Sequence, residues 1–290
     1  MKTWPALLAL AAAGCGLAAP VTPVAKVRPL RVMSLNQCTD QLVLALLPPE
    51  RIASVTWLSR NPGSSLMAQA AGRVGVNHGL AEEVLAQKPD LVIAGRFATP
   101  GARAVLKRLG YPLLELEDAV SFADVRRVTR KVAAAVDARG RGEALIADMD
   151  AKLARLAQDP MPAIPVVAWD RTGFSAGEGT LYDAVLTAAG GRNLARAPQA
   201  VDYHRPDIEV LLRLHPALIV QGSGEGGLGD LGDDVAAHRL IRRYWRGRVL
   251  AIPQAYYLCG APAVADGVVR LRVALRAAIA RPKMPIASAG

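Results

Sequence analysis

Aromatic residues are scarce in this chain of 290 residues, at 4% of the total, so each tryptophan and tyrosine needs a reason to be present. Cysteine is scarcer. There are three, Cys15, Cys38 and Cys259, with no Cys-x-x-Cys pair, and the four histidines His78, His204, His215 and His238 are scattered. That spacing argues against a preformed metal centre, whose ligands recur at short regular intervals. Beyond the N-terminus no apolar run approaches the roughly 20 residues needed to span a bilayer as a helix. Acidic residues are also in deficit, 25 against 35 basic, for a net charge of +10. A nucleic-acid partner would require those cations to be clustered. The densest group, Arg239, Arg242, Arg243, Arg246 and Arg248, is interleaved with Tyr244 and Trp245 and spreads around more than one helical face. It reads as a solvated surface, and no nucleic-acid partner is expected.

What is present is a globular composition, 52% hydrophobic and 21% charged, in a chain longer than one hydrophobic core usually sustains. Two lobes are therefore expected. Residues 1–19 read as an export signal, with Lys2 ahead of the apolar run Ala6–Ala13. Ala13-Gly14-Cys15 resembles a bacterial lipobox, in which Cys15 is lipidated; Ala12 stands where Leu is usual, so cleavage near Ala18 or Ala19 stays open. Residues 20–29 form a Pro/Val-rich linker, 30–138 a first lobe, 139–160 a connecting helix, 161–281 a second lobe and 282–290 a tail.

The connecting element is placed by its pattern. From Gly142 to Gln158, Leu145, Ile146, Met149, Leu153 and Leu156 share one face, opposite Asp148, Asp150, Lys152 and Arg155. Such a helix spans about 25 Å. Arg139–Gly142 reads as the break before it and Asp159–Pro165 as the break after it.

On either side the chain alternates strand and helix. The first lobe offers strands at Arg31–Leu35, Ile52–Thr56 and Pro112–Leu116 and helices at Gln41–Leu47, Gly101–Leu109 and Ser121–Val136. Asn36–Asp40 reads as a turn, and Trp57–Gly79 as loop and short helix. The second lobe offers strands at Val166–Trp169 and Val249–Ile252 and helices at Thr180–Ala189 and Ala263–Ala280. One unit occurs in both: Glu82, six residues, Pro89, one residue and an apolar strand, then Glu209, six residues, Pro216, one residue and an apolar strand. Asp207 is a fair N-cap for the second copy, whereas Leu80, its counterpart, caps nothing. Each glutamate alone is an ordinary first-turn acid, worth a few tenths to about 1 kcal/mol against the helix dipole. Its repetition at one spacing is what needs a reason: with approximate two-fold symmetry, both would sit on the same outer edge, one per lobe.

Other motifs lack their context. Gly173-Phe-Ser175-Ala-Gly177 fits a nucleophile elbow with Asp202, His204, Asp207 and His215 downstream, but Asp170–Thr172 and Glu178-Gly179 separate it from its strand and helix. A secreted serine hydrolase using Ser175 is thus the alternative reading. Gly222-Ser-Gly224-Glu-Gly-Gly227 matches a dinucleotide loop, but Asp230, Asp233 and Asp234 follow where phosphate would bind, and a flexible loop is the better reading. Cys38 and Cys259 each fall in a turn beyond a strand; a structural disulfide, a soft ligand to a metal complex and two unrelated buried thiols all remain open.

Glu82 through Pro89-Asp-Leu-Val-Ile-Ala, Gly177-Glu-Gly-Thr with Ala189-Gly-Gly-Arg-Asn193, the second Glu209-to-Pro216 unit, the joining helix and the lipobox-like start together resemble the periplasmic substrate-binding proteins of ABC importers for cobalamin, iron-siderophores and haem. The resemblance runs from about Arg31 to Ala280. It implies an α/β fold of two lobes joined by a single long backbone helix, with a ligand cleft between them. It implies docking onto a dimeric ABC permease at the inner membrane through Glu82 and Glu209, a periplasmic location with Cys15 as a lipid anchor, and a monomer. The protein would not be an enzyme and would need no cofactor; its transported ligand would contain cobalt or iron. Turns after the strands should line the cleft: Trp57, Leu58 and Arg60; Arg96 and Phe97; Trp169 and Arg171; Tyr203; Tyr256, Tyr257 and Cys259, with Cys38 opposite. Flat aromatics suit the faces of a corrin, porphyrin or catecholate, and arginines fork onto carboxylates or phosphate. A chelatase-like tetrapyrrole enzyme is a further alternative, with His204 and His78 as its acid/base candidates.

Overall fold

The computed structural model of the chain describes residues 31–168, 176–196, 208–223, 238–253 and 255–280. Cys15, Trp169, Arg171, Ser175, Tyr203 and His204 lie outside those residues, as do most of the Gly222–Gly227 loop and Asp207.

The first sheet has five parallel strands, β1 Val32–Ser34, β2 Ile52–Thr56, β3 Gly75–Asn77, β4 Leu91–Gly95 and β5 Leu113–Leu116, in the order β3-β2-β1-β4-β5. Its central strands are apolar and buried, with Val32, Met33, Val92, Ile93 and Ala94 fully enclosed, as expected where helices cover both faces of a parallel sheet. The second sheet has four parallel strands, β6 Ile164–Ala168, β7 Gly191–Asn193, β8 Leu218–Ser223 and β9 Val249–Pro253, in the order β7-β6-β8-β9. β1, β2, β4 and β5 thus correspond in order to β6, β7, β8 and β9. The chain holds two separate sheets of one design.

Between the strands of the first lobe run α1 Gln37–Leu46, α2 Ala68–Ala71, α3 Ala81–Gln87, α4 Pro100–Arg108 and α5 Phe122–Ala135. Then come α6 Arg139–Ala157 and, in the second lobe, α7 Leu181–Ala188, α8 Ile208–Leu214, α9 Arg239–Tyr244, α10 Ala255–Leu258 and α11 Val264–Ile279. Helix starts follow local chemistry. Asn36 accepts a hydrogen bond from Thr39 N at 3.0 Å, Ser121 from Asp124 N at 3.1 Å and Thr180 from Asp183 N at 3.2 Å. The first of these corrects the expected turn at 36–40: with Asn36 as cap, the helix opens at Gln37. Leu80 has no capping group, and Glu83 performs that task from inside α3, accepting from Leu80 N at 3.1 Å and His78 N at 2.8 Å.

The 19-residue α6 also begins earlier than the sequence pattern places it. Arg139–Gly142 is helical, and Gly142 lies where a Cβ would come within 2.6 Å of Ala133 Cβ on α5. The glycine permits close approach of two helices instead of ending one. Arg126 on α5 forks onto Asp150 of α6 at 2.6–3.1 Å, and Arg130 onto Glu143 at 2.8 and 3.0 Å. On its other side α6 meets α11, where Lys152 pairs with Asp266 at 2.6 Å. Arg272 of α11, 6% exposed, donates to the carbonyls of Leu156 in the last turn of α6 and Asp159 just past it, and of Ala188 and Ala189 at the end of α7. A cation there satisfies orphan carbonyls at two negative helix ends. The linking helix is therefore clamped between one helix of each lobe.

Two strands, β3 and β7, have no counterpart in the sequence reading. Both are three-residue edge strands, too short for alternation to register. Among the described residues no helix is long and apolar enough to cross a membrane.

Candidate functional site

In a parallel α/β sheet the turns beyond the strand C-termini gather along one edge, where crevices form. Here the turn after β1 and the one after β9 are joined covalently: Cys38, in the first turn of α1, forms a disulfide with Cys259, just past α10, with Cα atoms 4.7 Å apart. Of the three readings open from sequence, the disulfide is the one observed. It removes both sulfurs as free ligands to a metal complex. A hollow beside it is walled by Asn36, Leu116, Glu117 and Asp118 of the first lobe and Leu258 and Gly260 of the second. The C-terminal edges of the two sheets therefore meet along this seam.

Large apolar side chains stand exposed on these turns: Trp57 after β2 at 47%, Phe97 after β4 at 74%, and Leu258 in α10 at 52%. Leu258 is absent from the sequence-based candidates, which take its neighbours Tyr256, Tyr257 and Cys259 from the same turn for their flat rings and thiol. Exposed apolar groups are thus contributed by turns of both lobes, and Leu258 among them borders the hollow at the bridge.

The Trp57 turn is held from beneath. Asp40 is fully buried, and its Oδ2 accepts hydrogen bonds from Thr56 N at 3.1 Å, Thr56 Oγ1 at 2.5 Å and Ser59 Oγ at 2.6 Å. Burial pushes the Asp40 carboxyl up to about 7, against the lowering effect of hydrogen bonds from Ser34, Ser59 and Thr56. Its Oδ1 has no hydrogen-bond partner. Sequence reasoning missed Asp40 because nothing in an Asn-x-x-x-Asp turn signals that its acid is buried.

The other expected cleft residues divide. Arg60 donates to the carbonyls of Val74 at 2.9 Å and Ala71 at 3.4 Å, fastening its turn to its own lobe. Arg96 is exposed and pairs with Glu117 at 3.0 Å across neighbouring turns. Tyr257 corrects the expectation: it is 8% exposed and turned inward, its ring edge-on to Tyr182 at 5.3 Å in the second-lobe core. The residue before it, Tyr256, is partly exposed and lies under the Arg270 guanidinium at 5.0 Å. Among the described residues, no three His, Cys, Asp or Glu side chains converge as metal ligands. His78 is largely exposed and hydrogen-bonds Glu83 at 3.0 Å, a capping contact.

Glu82 and Glu209 are both exposed in the first turns of α3 and α8. Each helix runs back to the N-terminal end of a strand, β4 or β8, so each helix start lies toward the edge that carries the turns described above. Glu82 borders a hollow with His78, Leu80 and Thr99, the last of which follows β4. Leu80 is 53% exposed beside it.

Residues 32–244 match the model of the periplasmic binding protein family. Among individual proteins, an uncharacterized ABC transporter substrate-binding lipoprotein, YvrC of Bacillus subtilis strain 168, is 25% identical over 210 residues, 69% of this chain and 65% of that one. The match thus spans slightly less than two thirds of that relative's length. The vitamin B12-binding protein of Pectobacterium carotovorum subsp. carotovorum strain PC1 is 24% identical over 233 residues, 78% of this chain and 79% of that one. Among solved structures, the periplasmic heme-binding protein RhuT from Roseiflexus sp. RS-1 in apo form superposes with a TM-score of 0.70 at 24% identity, over 86% of this chain and 98% of that chain.

Proposed function

The chain belongs to the periplasmic binding protein family, and on that premise we propose that it is the substrate-binding component of an ABC importer, capturing a corrinoid or an iron complex of siderophore or haem type. The observation that carries this reading is the seam at Cys38–Cys259, where two like sheets bring their C-terminal edges together with Trp57, Phe97 and Leu258 exposed on turns from both lobes. Apolar surface offered by turns of both lobes suits holding a guest. Trp57, Arg60, Arg96, Trp169, Arg171 and Tyr203 remain the proposed contacts, joined by Leu258. Arginines there would neutralise peripheral carboxylates or phosphate, and the apolar groups would cover ring faces.

Glu82 and Glu209 are proposed to dock the loaded protein onto arginines of a dimeric permease. Such pairs attract by about 4 kcal/mol each at an effective dielectric near 20, before desolvation is subtracted. Two modest anchors on one body suit a partner that must let go. Export by residues 1–19, anchoring through Cys15 and a monomer held in the periplasm complete the proposal, with lobes at 30–138 and 161–281 on either side of the helix region 139–160.

Titration with cyanocobalamin, hemin and a ferric siderophore, followed by tryptophan fluorescence, tests it. One ligand should quench saturably at one equivalent. If all three leave the emission unchanged, the capture reading fails.

A further inference from the structure

The first turn of α1 does three things at once. Asn36 caps it and packs against the end of β4, where a Cβ on Gly95 would come within 2.9 Å of Asn36 Nδ2. Cys38 reaches across to Cys259 in the other lobe. Asp40, on the same turn, fixes Thr56 and Ser59 on either side of Trp57.

The far end of the bridge is equally constrained. Gly260 abuts Ala119, with a Cβ there only 2.3 Å from Ala119 Cβ, and Ala261 is buried in the first-lobe cluster with Leu116, Val128 and Val132. Segment 259–261 of the second lobe is thus pinned to the first. Immediately before it comes α10, carrying the exposed Leu258 and the partly exposed Tyr256. Van der Waals packing already closes the base at 260–261, so a disulfide one residue earlier adds little to that base. What it adds is a fixed distance between the two walls above it.

We infer that the Cys38–Cys259 bridge is a positioning element of the ligand site: it fixes α10, with Tyr256 and Leu258, relative to α1, and Asp40 relays that constraint from α1 to the Trp57 turn. The inference rests on the capture reading for its consequence, which is that the two walls face a guest already spaced for it. It does not need that reading for its geometry. Breaking the bridge frees α10 and the 56–60 turn together and leaves the sheets and α6 in place. Removing the Asp40 carboxylate frees the 56–60 turn alone.

Hydrogen exchange followed by mass spectrometry separates these effects, using the full exported chain with and without Cys38→Ser/Cys259→Ser, and separately Asp40→Ala. The double variant should exchange about tenfold faster at 255–259 and at 56–60, with β1, β4 and α6 unchanged. Asp40→Ala should accelerate 56–60 only. Should the double serine variant not fold, the same comparison is made on native protein treated with a phosphine in water, which is oxidised to its oxide as the S–S bond becomes two thiols, water supplying the oxygen and both protons. Acceleration spread evenly over both lobes, or none at 56–60, overturns the inference and leaves the bridge as a plain staple. In parallel, whichever of cyanocobalamin, hemin or ferric siderophore binds the wild-type chain should bind the double variant at least about tenfold more weakly. If none binds the wild type, the capture reading fails while the exchange result still decides the role of the bridge.

Discussion

Lys88 and His215 hold the same left-handed backbone, with φ of 49° and 47°, each one residue ahead of a buried proline. The likeness continues past the pair. The Pro89 carbonyl accepts a hydrogen bond from Tyr111 Oη at 2.9 Å, and the Pro216 carbonyl accepts one from Trp245 Nε1 at 2.7 Å. The next residue in each case, Asp90 or Ala217, donates its N–H to a carbonyl within a residue of the start of its lobe's first strand, to Arg31 O at 2.8 Å and Pro165 O at 2.7 Å. A left-handed non-glycine residue before proline is costly, so its recurrence marks one local geometry used twice. Glu82 and Glu209 open the two copies, which is why their pairing carries weight.

That repeat yields a stability prediction. Trp245 is 2% exposed, and its indole is the donor to a buried carbonyl. Trp245→Phe strands that carbonyl and leaves a void, and should destabilise the second lobe by about 3 kcal/mol. Tyr111→Phe, at a half-buried site, should cost about 1 kcal/mol. Urea unfolding of each variant, with lobe-resolved hydrogen exchange, checks both values.

Asp40 predicts a pH dependence. Its carboxyl, pushed up to about 7 by burial, binds a proton in the folded chain that the unfolded chain has already released near pH 4. Its contribution is therefore full below that lower value and is lost as pH rises toward 7. Asp40→Asn keeps an acceptor oxygen for Thr56 and Ser59 and cannot ionise. Relative to wild type it should gain stability steadily between pH 4 and 7, by at most roughly 4 kcal/mol. Urea melts across that range measure the difference; parallel stability curves would contradict the assignment.

Gly142 predicts a packing defect in the linking helix. A side chain there meets Ala133 at less than contact distance, so Gly142→Val should part α5 from α6 and cost about 3 kcal/mol despite the better helix propensity of valine over glycine. Gly140, with open space around its Cβ direction, should accept alanine with a small gain. Thermal melts of the two variants should move in opposite directions.

Docking predicts a separation of binding from delivery. Glu82→Lys with Glu209→Lys should leave ligand affinity unchanged and abolish uptake in proteoliposomes carrying the cognate permease. Uptake that persists at the wild-type rate contradicts the assignment of these acids.

Much of this was legible in the sequence because it depends on local pattern. The Glu-to-Pro unit, the apolar face of α6 and the helices opening near Ser121 and Thr180 are all fixed within a few residues of chain, and the structure reproduces them. What depended on distant partners was not legible. Gly142 reads as a break until Ala133 is seen against it, and Tyr257 reads as a cleft aromatic until Tyr182 is seen beside it. The pairing of Cys38 with Cys259 spans 221 positions and has no local signature at all. Asp40 is the clearest case: its burial follows from Thr56 and Ser59 folding over it, and no property of residues 36–40 announces that.

The most direct measurement is equilibrium binding of cyanocobalamin, hemin and a ferric siderophore to the wild-type chain and to Trp57→Ala and Leu258→Ala, one substitution on each side of the seam. The account predicts one saturating ligand at one equivalent, weakened at least about tenfold by either substitution. A ligand that binds all three proteins equally well, or no binding to any, would contradict capture between the lobes.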